Sequence, residues 1–542
     1  MPLGKYSRIS ASRTALRRTS GMTNSISKPI IIVGGGHNGL VSATYLAKAG
    51  HKVKVLEARE VVGGAASTTS FAEGYRVSGV AHILYTLNPK ICRDLQLESM
   101  GLDPGTSIDT IALGQDGNHL TLGRNAVNGV DLSQKDISAY TDFKKEFRSY
   151  AKALTPLIMN KPPRLKDMDR RDLSTLAQLG WKLRFGLGAN SMREFLRVGG
   201  INIYDVLNEV FDDPRLKGAI AADAVLGHHM GPRTPTTVLT YLYRLWGEIH
   251  GAQSLPTGGM GEISETLAKA AIKAGVTIET GAKVKRIVVD EGKVSAVELE
   301  TGELIEASIV ISNADAKTTF LDLVGAEELD AMFCHRIDTS RSKGNTAKLH
   351  LALNSLPKFA GLSGSQLAQR LIIAPNMRYV EHAFNHAKYG EYSEQPVLEI
   401  VIPTIDDPEL APEGHHVMSI SASFAPYSLK QGWENHRDRF ANKIVDLIEG
   451  YASGFSDIIV ARELLTPPDI EAQYNISGGH WHHGELTIDQ SFMMRPVHGA
   501  AQYDTPISGL FLCGATAHPG GGVTGIPGHN SAKRILAMGA GK

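Results

Sequence analysis

Residues 34–39 read Gly34-Gly35-Gly36-His37-Asn38-Gly39, with glycines in the spacing G-x-G-x-x-G. That spacing carries chemistry only when a strand enters it and a helix leaves it. Here the apolar, β-branched run Ile30-Ile31-Ile32-Val33 predicts a buried parallel strand. Leu40 to Ala49 predicts a helix stopped at Gly50, and Val53 to Leu56 predicts a second strand. Glu57 follows that strand, 18 residues past Gly39. In such a unit Gly34 permits the tight turn, Gly36 lets the backbone approach a pyrophosphate, and Gly39 lets helix and strand pack closely. The helix start at His37 and Asn38 offers free N–H groups and a positive dipole end to phosphates. Glu57 stands where a carboxylate accepts hydrogen bonds from a ribose diol. The unit therefore predicts a dinucleotide site.

Two further stretches bear on which dinucleotide. After Glu57 and Ala58 comes Gly63-Gly64-Ala65-Ala66, a second backbone cradle for the pyrophosphate and ribityl chain. Near the other end, the apolar run Leu510 to Cys513 meets Gly514, and a Pro- and Gly-rich loop through Val523, Thr524 and Gly525 enters a helix opened by Pro527. The positive end of that helix suits the negative charge that a flavin gains on reduction. Both stretches favour FAD over NAD. No flavinylation motif surrounds Cys513, His518 or His529, so the expected binding is non-covalent.

Gly520 to Gly525 also fits G-x-G-x-x-G, but the 17 residues after it are too few for another strand–helix–strand unit. Cys92, Cys334 and Cys513 form no Cys-x-x-Cys pair. One dinucleotide unit without a cysteine pair argues against a reductase that passes electrons from NADPH to a disulfide. The same cysteine usage points to a reducing compartment.

The 542 residues allow two or three domains. Lys plus Arg equals Asp plus Glu at 56 each, which argues against nucleic acid as the main partner. No apolar run approaches the roughly 20 residues of a bilayer-spanning helix, so membrane contact is expected to be peripheral at most. Residues 1–28 are basic, serine-rich and free of acid. They suit a mitochondrial transit peptide, and equally a disordered tail or an upstream start codon. The expected location is cytoplasmic, with or without membrane association, or the mitochondrial matrix if the transit reading holds.

Gly36 to Leu40, Gly63 to Ala66, Gly258-Gly259-Met260-Gly261, Ser312-Asn313-Ala314-Asp315 and His518 to Gly522 together resemble the phytoene-desaturase-like FAD oxidoreductases. Carotenoid desaturases, cyanobacterial-type carotene ketolases and retinol saturases belong to that family. The branch named pyridine nucleotide-disulphide oxidoreductase domain-containing protein two looks most similar, also through Ile488 to Pro496. The resemblance covers nearly all of the chain after residue 28. It implies an α/β architecture of the amine-oxidase and phytoene-desaturase kind, with a Rossmann-type FAD domain assembled from residues 29–130, 256–320 and 491–542. Residues 131–255 are then a helical, membrane-facing substrate region, and 321–490 a substrate domain of mixed sheet and helices. It also implies that Val284 meets the adenine through its backbone, that Asn313 lies at the cofactor, and that His483 sits close to the flavin.

The expected chemistry is hydride transfer between the C–H bond of an apolar, isoprenoid or lipid-like substrate and flavin N5, leading to desaturation or dehydrogenation. Positioning supplies much of such catalysis, and no residue stands out as a catalytic acid or base; His483 is the one weak candidate. Amine oxidation and a non-catalytic FAD scaffold are the alternatives. His480-Trp481-His482-His483 invites a metal reading, but neighbouring histidines on a strand diverge and no acidic partner has matching spacing, so no metal is expected. Ser174 to Ile201 interleaves Trp181, Phe185 and Phe195 with Lys182, Arg184, Arg193 and Arg197. That pattern suits an anionic membrane surface, and also an ordinary helix pair packed on the core. Self-association into a homo-oligomer is left open.

Overall fold

The computed structural model describes residues 28–539, apart from 86, 165 and 252. The reading of residues 1–28 as targeting segment or tail therefore lies outside the described residues, except for Lys28, which pairs with Glu306 at 2.9 Å.

The β-branched run Ile30–Val33 is the middle strand of a five-stranded parallel sheet. The order is Thr277–Glu279, Val53–Leu56, Ile30–Val33, Val310–Ser312 and Leu510–Leu512. Three distant pieces of chain thus build one sheet. Alternation sets its two faces. Ile30, Ile32, Val53 and Val55 pack with Ala43 and Leu46 of the helix His37–Lys48 and with Ala532 and Ile535 of the helix Ile526–Met538. Ile31, Val33 and Leu56 pack on the opposite side with Val284 and Phe320. An antiparallel meander covers that side, running Val284–Asp290, Lys293–Leu299, Leu304–Glu306.

The second sheet has eight strands. Its order is Ile459–Leu465, Thr346–Leu353, His416–Ser423, Val397–Val401, Arg370–Ile373, Thr110–Ala112, Leu120–Leu122 and Val127–Asn128. All pairings are antiparallel except that of Arg370–Ile373 with Thr110–Ala112. The strands between 110 and 128 thus belong to the mixed sheet and not to the parallel one. The stretch beyond them is helical, from Gln134–Ala153 to Thr237–His250.

Thr346–Leu353 shows how this sheet serves the site. Ala347, Leu349, Leu351 and Leu353 face a core that includes Phe440 and Ile444 of the helix Arg437–Glu449. The other face carries Lys348 and His350, both fully buried. A charged residue so placed must find partners, and those partners lie beside the cavity described next.

Candidate functional site

A cavity of about 650 Å³ runs between the parallel sheet and the mixed sheet. Its wall on the parallel-sheet side contains Gly34, Gly36, His37, Asn38, Glu57, Ala58, Gly63, Gly64, Ala65, Ala66, Val284, Asn313, Val523 and Thr524. His483 lines it from another loop. Gly39, Gly514 and Gly525 do not line it. Gly39 and Gly514 sit one layer behind, where a Cβ would come 2.4 Å from Gly34 O and from Asn313 O respectively. Gly525 starts the tail helix.

The local geometry fits a dinucleotide. The helix His37–Lys48 begins on Gly36 with no side-chain cap and no acid in its first turn, so its leading N–H groups face the cavity uncompensated. Gly36 has an ordinary backbone angle, yet a Cβ there would lie 2.6 Å from Asn313 Nδ2. Asn38 Oδ1 is buried without a partner among the described residues. Glu57 is held in place: Gly35 N–H donates to Oε2 at 2.6 Å and Arg59 N–H to Oε1 at 2.9 Å. Each carboxylate oxygen keeps a lone pair for a further donor.

The tail glycines, rejected above as a nucleotide fingerprint, close the site instead. His37 Nε2 lies 3.2 Å from Gly522 O, and Tyr243 donates to Gly521 O at 3.0 Å. A Cβ on Gly521 would strike His482 at 2.5 Å, so only glycine lets the loop lie this close to the histidine turn. Burial pushes His37 and His483 down to about 4, so both imidazoles are neutral at pH 7.

His480 to His483 form a turn rather than a strand, and an acidic partner does exist. Glu485 accepts from His480 Nε2 at 3.1 Å and from His229 N–H at 3.0 Å, and lies 3.2 Å from His228 Nδ1. The ligand atoms of His228, His480 and Glu485 fall within 4.8 Å of one another. The donor pattern still argues against a metal. His482 N–H donates to His480 Nδ1 at 3.2 Å, which places the His480 proton on Nε2, the nitrogen a metal would need bare. The trio reads as a hydrogen-bonded clamp on the histidine turn. Arg495, fully buried, secures the same turn through His482 O, Glu485 O and Ala515 O.

The wall opposite the glycines is less apolar than expected. Beside Val80, Ile83 and Leu226 it carries His82, Tyr85, Asp223, Arg244 and Glu399. Behind them, Arg370 donates to Glu399 and to Asp223, both at 2.6 Å. Glu399 also accepts from His82 and Tyr85 at 2.9 Å, and Arg244 lies 3.2 Å from Asp223. Burial alone would raise the Glu399 carboxyl, but Arg370 and His82 hold it well below the usual range. Lys348 reaches His82 at 2.8 Å, and burial brings its ammonium down to about 7. None of this network was identified from the sequence. Its members are up to 317 residues apart, and no local spacing marks them.

Among known proteins, the model for flavin containing amine oxidoreductase matches residues 39–319. The chain belongs to that family. Pyridine nucleotide-disulfide oxidoreductase domain-containing protein 2 of Mus musculus is 34% identical, over 93% of this chain and 93% of its own. A limonene dehydrogenase polypeptide of Castellaniella defragrans is 27% identical, over 93% of this chain and 94% of its own. Phytoene desaturases are more distant relatives. Putrescine oxidase bound to putrescine shares the fold, with TM-score 0.59 and 15% identity over 95% of this chain and 99% of that one. Family membership implies FAD, and the glycine cradle and Glu57 are the residues here that fit it.

Proposed function

We propose that this chain is an FAD-dependent dehydrogenase of an apolar, isoprenoid or lipid-like substrate, with its FAD bound non-covalently. The observation that carries the reading is one cavity continuous from the glycine cradle to the wall of the substrate sheet. Bound in the cradle, FAD supplies a two-electron acceptor for a substrate C–H bond. The chain's own contribution is to bind, orient and exclude water. Glu57 and the helix start would hold the adenosine and phosphates; neutral His37 bonds to Gly522 O without adding charge, and His483, also neutral, has its Nδ1 buried without a partner among the described residues. Val80, Ile83 and Leu226 give the substrate side apolar surface. The two carboxylates on that wall, Asp223 and Glu399, are already paired with Arg370, which favours an uncharged substrate over an amine. The name of the Castellaniella relative refers to a hydrocarbon terpene, in keeping with this reading. Anaerobic mixing of the FAD-loaded protein with fractionated lipid extracts tests it. The account expects an apolar fraction to bleach the oxidised flavin band. Bleaching by polyamines and by no apolar fraction would overturn it.

A further inference from the structure

Gly227 brings the residue after it hard against the histidine turn. Its φ is +79°, and a Cβ there would meet Trp481 Nε1 at 2.1 Å, so only glycine fits. His228 follows, just beyond the helix Pro214–Val225, with its N–H donating to Val225 O at 3.0 Å. Its ring stacks on that of His482 at 4.8 Å and 12° and forms part of the cavity wall. Glu485 stands behind that wall, with Oε2 3.2 Å from His228 Nδ1. Burial alone would raise the Glu485 carboxyl, but His480 and His228 hold it well below the usual range, so it is a carboxylate that only accepts. The proton of a neutral His228 therefore sits on Nδ1. Its Nε2 is left bare, on a ring that lines the cavity, with no hydrogen-bond partner among the described residues.

The other bases of the cavity are occupied or unsupported. His37 Nε2 is bonded to Gly522 O, and His82 has Nε2 on Glu399 and Nδ1 on Lys348. Glu399 and Asp223 are paired with Arg370. His483 has no carboxylate hydrogen-bonded to it among the described residues. We infer that His228 is the catalytic base of the dehydrogenation, an assignment that rests on the function proposed above. One substrate C–H bond breaks and its hydrogen leaves with the electron pair, as hydride to bound FAD. The C–H bond on the neighbouring carbon breaks too; its electron pair forms the C=C bond and its proton goes to His228 Nε2. The substrate is oxidised by two electrons and FAD is reduced by two. The imidazolium formed keeps its Nδ1–H on the Glu485 carboxylate, which orients the ring and stabilises the new charge. Burial lowers the His228 imidazole below its ordinary value, with His480 and Arg495 adding to the effect and Glu485 opposing it, so at pH 7 the ring is neutral and able to take a proton.

Long-range proton–nitrogen NMR of the histidine-labelled, FAD-loaded protein reads the tautomer without any substrate. At neutral pH the His228 signals, assigned by their loss in His228→Gln, should be those of a protonated Nδ1 and a bare Nε2. A protonated Nε2 would overturn the assignment and leave the dehydrogenase reading standing. In anaerobic stopped-flow with the apolar lipid fraction that bleaches the wild-type flavin, His228→Gln should slow bleaching at least about a hundredfold. FAD affinity, flavin spectrum and melting temperature should hold, and added imidazole should restore part of the rate. His228→Asn repeats the test should the glutamine variant fail to fold. Bleaching at the wild-type rate, or a slowed rate that imidazole does not lift, would overturn the assignment. A wild-type flavin that no apolar fraction bleaches would overturn the function it rests on, and the assignment with it.

Discussion

His37 Nε2 lies 3.2 Å from the carbonyl oxygen of Gly522, joining the first glycine turn to the last across 485 residues of chain. The contact pins the tail loop over the cavity mouth of the helix His37–Lys48. The imidazole that makes it is kept neutral by burial rather than by the bond, and buried neutral histidines recur around the site.

Stability should therefore depend on pH in a defined window. Burial holds His37, His82, His483, His518 and His529 near 4 in the folded chain, against an ordinary value of 6.5. Between those values the unfolded chain binds more protons, so folding stability falls as pH drops from about 6.5 towards 4; above about 7 the histidine contribution is level, and the lowered Lys348 ammonium adds a slope of the same sign. The carboxylates with depressed values titrate lower still, which leaves the upper half of the window to histidines. Melting temperatures measured from pH 8 to pH 4.5 check this, and a flat profile between pH 7 and pH 5 would count against it.

Glu57 receives Gly35 N–H and Arg59 N–H and faces the cavity. Glu57→Ala should weaken FAD binding roughly ten- to a hundredfold, since hydrogen bonds to a charged group are worth about 1.5–3 kcal/mol. The fold should survive. Titration of apo-protein with FAD by fluorescence quenching reads the effect, and unchanged affinity would mean that the ribose is held by other residues.

Arg370 is fully buried and neutralises both Glu399 and Asp223. Arg370→Met should cost about 3–5 kcal/mol, because it leaves buried carboxylates uncompensated. Urea unfolding should show the loss. Arg370→Met with Glu399→Gln should recover part of it, and a double variant no better than the single one would show that the pair is not the origin.

How much of this was legible in the sequence follows from distance along the chain. Ile30 to Glu57 was readable because strand, turn, helix and acid all lie within one local unit. The hairpin of Val284–Asp290 and Lys293–Leu299 carries a comparable local signal, a turn glycine at Gly292 between two β-branched runs. Strands at 110–128 were missed, since runs as short as Thr110–Ala112 carry no usable period. Lys348 and His350 gave the polar half of an alternating strand, but alternation does not tell water from a buried ion network. The pairing of Glu485 with His228 spans 257 residues, and only the fold brings them together. The tail glycines were correctly set aside as a fingerprint, but their closing contact with His37 could not be read from spacing.

Electron flow gives a further prediction. The tail glycine loop packs against the first cradle rather than forming a second one, and all three cysteines are free. NADPH or NADH added anaerobically should reduce the flavin slowly or not at all, because a nicotinamide lacks a cradle for its adenosine half. Stopped-flow absorbance checks this. Fast, saturable reduction at micromolar NADPH would contradict it.

The central claim is that the glycine cradle, Glu57 and the tail loop hold FAD without a covalent bond. Acid precipitation of the purified protein, followed by identification of the released flavin, tests it most directly. The account predicts a yellow protein that releases FAD in amounts equimolar with the chain. A folded, colourless protein that does not take up added FAD, or a flavin that stays with the precipitate, would contradict it.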